Sequence, residues 1–466
     1  MRWMSALTLS AALLACSPEL PPAPDVSTPY PVPAVAPPAP DEPGWTRLAN
    51  GLRVAIRAIP DAQDVAVLTV FSIGSDHDPA GQSGLAHLVE HLYVTAAAGS
   101  IRPRTCEEMS GRNPSWGAQT NARTTSIRTV IAPHSLAMEL TDAAARMSDL
   151  RIEPSDLDRE RPRVFEQISG FEMAATGAAA AQFAVERMYA LPRGAGMGLR
   201  AEVERLSLEG FRARCHRFYR PVNARLVITG AIDAAATLAL VERTFGHLPA
   251  GEQVQPVAAR EPVWSGRFDV DLAPPGTADA DCEREVCISC PAPPSRSEPA
   301  FVTLGYLVQP ATNAQQGFQF DTDTEHRTVA FHWTGDDRPV DEIVRRFDEV
   351  IARFAVRSPT AADLAPVRDA YDAFFTGYSK SSELRGECAH PPAQFARYVA
   401  EAAKDGLDRD RFCTALAAVT QADLRRVAAT WLAPERRVVA VLRRARTPTM
   451  NMKAGWIMSQ RANPTR

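Results

Sequence analysis

The chain has 466 residues, 45% of them hydrophobic and 23% charged, with a formal net charge of −4. That length accommodates two or three domains, and the composition is ordinary for globular protein. Near-neutral charge, with no basic patch carrying interleaved aromatics, gives no case for a nucleic-acid binder; acidic and basic residues are mixed as on a solvated surface.

Residues 1–16 read as a lipoprotein-type signal peptide. Arg2 precedes an apolar stretch, Met4 to Ala15, that is too short to cross a bilayer as a stable helix. Leu13-Leu14-Ala15-Cys16 resembles a bacterial lipobox, in which Cys16 becomes the lipidated first residue. Leu14 departs from the small residue usual there, so simple cleavage near Ala15 is the alternative. Residues 17–44 form a Pro-rich linker, since Pro21-Pro22-Ala23-Pro24 and Pro37-Pro38-Ala39-Pro40 favour an extended tether over helix or sheet. The expected location is the periplasmic side of the bacterial cell envelope, with a lipid anchor in the outer membrane as the sole membrane contact. No later segment is long and apolar enough to span a bilayer.

An N-terminal domain is expected over 45–250. Asn50-Gly51 places a hairpin turn between strand-like runs, and Val65–Phe71 is a buried-strand candidate. A helix at about 83–97 follows, containing His87-Leu88-Val89-Glu90-His91. Residues four apart lie on one helix face, so both imidazoles can reach a single ion. Glu90 stands near that ion without needing to bind it, which suits a general base acting on metal-bound water. The bland alternative is a pair of surface or half-buried histidines. A polar loop leads to Gly117–Thr125 and a strand at 126–132, then helices at 134–149, 155–173, 176–190 and 233–245, with Pro221–Gly230 reading as a turn into a core strand. Separated runs of strands and helices predict α+β rather than alternating α/β.

A linker at 251–262 leads to a second α+β unit at 263–445, followed by a polar tail at 446–466. Strands are predicted at 266–272, 301–308, 327–334 and 437–443, with helices at 339–355, 360–377, 393–404 and 420–431. Helix, short linker and apolar strand close both units, which points to a duplicated architecture. Of the 8 cysteines, those after Cys16 are odd in number, so at least one is unpaired or intermolecular. Cys282, Cys287 and Cys290 lack a second C-x-x-C to complete a zinc knot, and disulfides of open connectivity are the favoured reading. His77, His134, His216, His247, His326, His332 and His390 read as surface or packing residues.

The run His87–His91 is an H-x-x-E-H inverted zincin motif. With Asn50–Val54, Gly84–His91, Asn121-Ala122-Arg123-Thr124 and Phe218–Ala224 in order, the chain resembles the pitrilysin/insulinase family of zinc metallopeptidases. The likeness is to its short form, related to the mitochondrial processing peptidase. The resemblance implies two homologous α/β-sandwich domains, each a mainly antiparallel sheet packed with helices, the second degenerate. It implies that His87 and His91 bind zinc and that Glu90 activates water against a peptide carbonyl. It also implies that Asn121 and Ala122 hold substrate backbone at a strand edge; for Asn121, a turn residue bonding its own backbone is the alternative.

A catalytic zinc usually takes three protein ligands. In this family the third is a Glu seven residues after another acidic residue. Glu160 plus seven is Gln167, an amide where a carboxylate is expected. Its neighbour Glu166 is assigned as the third ligand instead, with a kink at Pro162 supplying the rotated register. The family's Arg and Tyr clamp from the second domain has no convincing counterpart around Leu304–Val308. Two functions remain open: a zinc endopeptidase of peptides or unfolded segments, and a catalytically impaired chamber subunit or peptide-binding lipoprotein. The expected partners are peptide substrates and a second subunit, in a homodimer or a heterodimer.

Overall fold

The computed structural model describes residues 44–112, 115–173, 178–191, 196–258, 260–273, 276–293, 298–308, 317–323, 328–334, 338–354, 356, 358–377, 391–405 and 409–445. Cys16, nearly all of the Pro-rich linker, His326, Cys388, His390 and the polar tail lie outside them.

The first half runs β1 (Thr46–Arg47), β2 (Arg53–Ala58), β3 (Val65–Phe71), α1 (Leu85–Thr95), β4 (Ala97–Ala98), α2 (Cys106–Arg112), β5 (Gly117–Thr120), β6 (Thr125–Ile131), α3 (Leu136–Ser148) and β7 (Leu150–Arg151). It continues through α4 (Pro154–Met173), α5 (Ala178–Met188), α6 (Arg200–Arg205), α7 (Leu208–Phe218), β8 (Ala224–Gly230) and α8 (Ala234–Phe245). The sheet order is β1-β2-β8-β3-β6-β5, antiparallel except where β2 meets β8. β3 is apolar except at Thr69 because both faces are covered. Val65, Val67 and Phe71 enter the main core with Leu88 and Leu92 of α1, whereas Ala66 and Leu68 face the other way.

The second half comprises β9 (Gly266–Asp271), β10 (Cys282–Pro291), α9 (Pro299–Val308), β11 (Gly317–Asp323), β12 (Thr328–Thr334), α10 (Val340–Phe354) and α11 (Ala361–Thr376). After these come α12 (Pro392–Asp405), α13 (Arg409–Ala417), α14 (Gln421–Trp431) and β13 (Val438–Ala445). Its sheet order is β11-β12-β10-β13-β9, with β13 and β9 parallel and the other pairs antiparallel. Each half is thus a mainly antiparallel sheet packed with helices, the α+β arrangement predicted above.

The halves exchange helices. α12 lays Ala396, Val399 and Ala400 on the far face of the first sheet, against Ala55, Ala66, Leu68 and Val227. In return α5 lays Ala179, Ala180, Phe183 and Ala184 on the second sheet, against Phe268, Cys287, Ala440 and Leu442. Small residues let each helix approach its sheet closely and fill the layer at interior density.

Three local expectations are corrected. Residues 301–308 form a helix, not a strand: Phe301 and Leu304 pack into the second core while Val302 packs into a satellite cluster with Phe375 and Phe412. A helix with apolar contacts on several sides shows no 3.6-residue stripe, so its sequence reads like a buried strand. The stretch 282–291, read as a cysteine cluster, is the central strand β10, and 106–112 is helical. Among the described residues Cys106, Cys215, Cys282, Cys287, Cys290 and Cys413 form no disulfide. Cys287 and Cys290 stand on opposite faces of β10, which keeps them from pairing.

Candidate active site

α1 is the floor of the site, and its start is fixed by close packing. Gly84 caps it with φ +83°, and a Cβ there would lie 2.6 Å from Val203 Cγ2 and 2.9 Å from Gly198 Cα. Asp78 accepts the Ala86 N–H at 3.0 Å and pairs with the buried Arg214 at 2.9 Å. The carboxylate thereby satisfies a donor that the first helical turn cannot satisfy itself. Every residue of α1 is buried, including His87, Glu90 and His91. Polar side chains in an otherwise apolar, buried helix require specific partners.

α4 supplies them. Two turns separate Glu160 from Gln167, so both face α1. Gln167 Oε1 lies 2.6 Å from His87 Nε2, and Gln167 Nε2 lies 2.9 Å from His91 Nε2. Glu160, fully buried, approaches His91 Nδ1 at 3.3 Å and accepts from Arg159 Nε at 2.9 Å. The other nitrogen of His87, Nδ1, sits 3.0 Å from the Met197 carbonyl. Glu166 is exposed. The assignment of Glu166 beside the histidines is therefore corrected to Gln167. α4 continues helical through Pro162 from Pro154 to Met173, and the one-residue offset of about 100° leaves Glu166 facing solvent.

Burial depresses the His87 pKa to about 4, and the neighbouring His91 adds to the effect. Burial pushes the Glu90 carboxyl above the ordinary range, opposed by His91 and by the hydroxyl of Thr120, which donates to Glu90 Oε2 at 2.6 Å. Burial also pushes Glu160 upward, but hydrogen bonds from His91 and Arg159 outweigh it and hold that carboxyl low.

These contacts test whether the residues fit a metal ion. Neutral His87 carries one N–H yet meets oxygen at both ring nitrogens, Met197 O and Gln167 Oε1. Turning the Gln167 amide over transfers the same conflict to His91, whose Nδ1 faces the Glu160 carboxylate. Either way the pair has one acceptor too many, and a cation between the Nε2 atoms and the amide oxygen resolves it. Outward Nδ1–H bonds leave both Nε2 lone pairs aimed at one place, the second-sphere pattern of metal-binding histidines. The donor set fits a divalent ion, with a neutral amide in the third position.

β5 is the outer strand of its sheet, and Thr120 at its end touches Glu90. Asn121 and Ala122 form the turn beyond it: Asn121 N–H donates to Thr124 O at 2.8 Å, while the carbonyls of Asn121 and Ala122 accept from Ser75 and Asp76 at 3.0 and 2.7 Å. These backbone groups are engaged internally, and among the described residues the outer edge of the sheet begins just before them. Tyr306 sits on α9 beside the cluster of Val302, Val367 and Phe375. Sequence reasoning did not single out Thr120, the Met197 carbonyl or Cys106, whose sulfur lies within 4.8 Å of ligand atoms of His91 and Glu160. Burial and Glu160 push the Cys106 thiol up to about 12. Glu160 was legible as the residue seven positions before Gln167; the others carry no spacing signal.

Two family models match the chain: insulinase (peptidase family M16) over residues 53–189, and the peptidase M16 inactive domain over 205–319. A "probable mitochondrial-processing peptidase subunit beta" of Schizosaccharomyces pombe is 28% identical over 221 residues, 46% of this chain and 48% of that one. An "uncharacterized zinc protease" of Rickettsia bellii is 24% identical over 214 residues, 45% and 51% of the two chains. The matched region thus spans about half the length of these curated relatives. Among solved structures, a protease from Helicobacter pylori superposes with a TM-score of 0.67 at 17% identity, covering 85% of this chain and 98% of that one. That likeness is one of fold.

Proposed function

The chain belongs to the insulinase family of peptidases, peptidase family M16, and on that premise we propose that it is a zinc-dependent endopeptidase of peptides or unfolded segments. The observation that carries this reading is the convergence of His87 Nε2 and His91 Nε2 on one amide, with Glu90 on the same buried helix. His87, His91 and Gln167 would hold the ion, which supplies Lewis acidity when bound. Glu90 takes a proton from water as the water oxygen bonds to the peptide carbonyl carbon. It passes that proton to the amide nitrogen as the C–N bond breaks, so one carboxylate serves as base and then acid. The Thr120 hydroxyl keeps the carboxylate oriented and favours its ionised form. Among the described residues β5 is the outermost strand of its sheet, and its outer edge would hold the peptide as an added strand beside Glu90.

A donor set without a negative charge favours a second reading, a peptide-binding subunit that leaves cleavage to a partner. Assembly with a second family subunit is part of the proposal; the relative from Schizosaccharomyces pombe is itself named as a subunit. Anchorage in the bacterial envelope through Cys16 rests on Leu13-Leu14-Ala15-Cys16 and the proline-rich stretch. Hydrolysis of quenched fluorescent peptides, with and without a chelator, tests the enzyme reading. Chelator-sensitive cleavage supports it, and peptide binding without any cleavage transfers support to the subunit.

A further inference from the structure

Arg128 lies on β6 directly opposite Gly117 of the edge strand β5. Along β6, Ile127 and Ile131 point into the core under α1, whereas Arg128 and Val130 point to the face that carries α12. The Arg128 guanidinium packs beside Gly117 at the rim. A Cβ at Gly117 would stand 3.6 Å from Arg128 Nη2, and Arg128 Nε donates to the Ser115 carbonyl at 3.3 Å. The guanidinium therefore lies across the backbone of the outermost strand. Burial lowers the Arg128 pKa, and the exposed Arg397 of α12 adds to the effect. A guanidinium at the rim of a sheet favours an anion beside it.

Geometry sets where that anion would come from. Directly opposite residues in adjacent strands share a face, so a peptide residue added across from Gly117 projects to the side of Arg128. Three residues separate Gly117 from Thr120, about 10 Å along the strand. We propose that Arg128, reaching over Gly117, is a specificity residue that selects an Asp or Glu side chain about three positions from the scissile bond of a peptide added to β5. This deepens the peptide-cleaving reading and rests on its edge-strand docking.

The test reads binding alone, on the full chain carrying Glu90→Gln. Fluorescent 12-residue peptides, amidated at the C-terminus, carry one Glu moved along the sequence, each paired with its Gln counterpart, and affinities come from anisotropy. One position should favour Glu by about fivefold at low salt, with the preference fading as salt rises. Arg128→Gln should bring the pair to equality, and Arg128→Lys should restore part of the preference. Absence of a Glu-preferring position, an unchanged preference in Arg128→Gln, or no peptide binding overturns the proposal. A chain that binds with this preference yet never cleaves, as wild type, sinks the peptidase reading and leaves the selection by Arg128 standing.

Discussion

Gln167 Oε1 lies 2.6 Å from His87 Nε2, the place from which a carboxylate would set a negative charge beside both histidines. A neutral amide oxygen is the weaker donor to a dication. Gln167→Glu should therefore tighten zinc binding by at least about tenfold, measured by competition with a chromophoric chelator. Glu166→Gln, on an exposed residue one position away, should leave the affinity where it was. Equal effects of the two substitutions would contradict the placement of Gln167.

Thr120 controls the proton affinity of Glu90. Its hydroxyl stabilises the ionised carboxylate against burial, so Thr120→Val should raise the Glu90 pKa further. Glu90 must be ionised to accept a proton, so the acid limb of the kcat/KM profile should move to higher pH. Activity well above that limb should fall less than activity on it. An unshifted limb would separate Thr120 from the base.

Gly84 holds the start of α1 in a left-handed conformation, where a Cβ would collide with Val203 and with the backbone of Gly198. Gly84→Ala should lower stability by about 1–3 kcal/mol, read as a drop in Tm. The loop it displaces carries Met197, whose carbonyl faces His87 Nδ1, so zinc affinity should fall as well. A variant with the Tm and zinc affinity of the wild type would contradict this account of the helix start.

Much of the fold was legible because pattern and burial agree. The H-x-x-E-H helix, β3 and β8, and the long helices α4, α10 and α11 have the expected type and near-expected limits. The failures have local physical causes. α9 is apolar toward two clusters at once, and β10 takes its identity from β12 and β13 on either side, which lie far off in sequence. Within the site, the seven-residue spacing correctly pointed to Gln167. A kink at Pro162 would have turned Glu166 toward the histidines, but α4 remains helical through that proline. The oxygens of Met197 and Thr120 reach the site through tertiary packing, which a single sequence does not display.

His332 on β12 faces Cys287 of β10, with Glu285 Oε1 3.7 Å from its Nδ1. Burial opposes its charging, but Cys287 and Glu285 outweigh burial and raise its pKa to about 10. A histidine with a folded pKa above its unfolded value of about 6.5 contributes stability fully below the unfolded pKa. That contribution is lost as pH rises through the folded pKa. Denaturation followed from pH 6 to 10 should show stability declining with pH in the wild type and a flatter dependence in His332→Gln. Parallel curves would show that His332 is not charged in the folded chain.

A zinc centre on α1 served by Glu90 links metal content to turnover, and both can be read in the same protein. The chain and its Glu90→Gln variant, purified in parallel, are assayed for bound zinc and for peptide hydrolysis. One zinc per chain is expected in both proteins, with hydrolysis by the wild type and loss of hydrolysis with retained zinc in the variant. Absence of zinc from both, or equal turnover by the two proteins, would contradict a zinc centre served by Glu90.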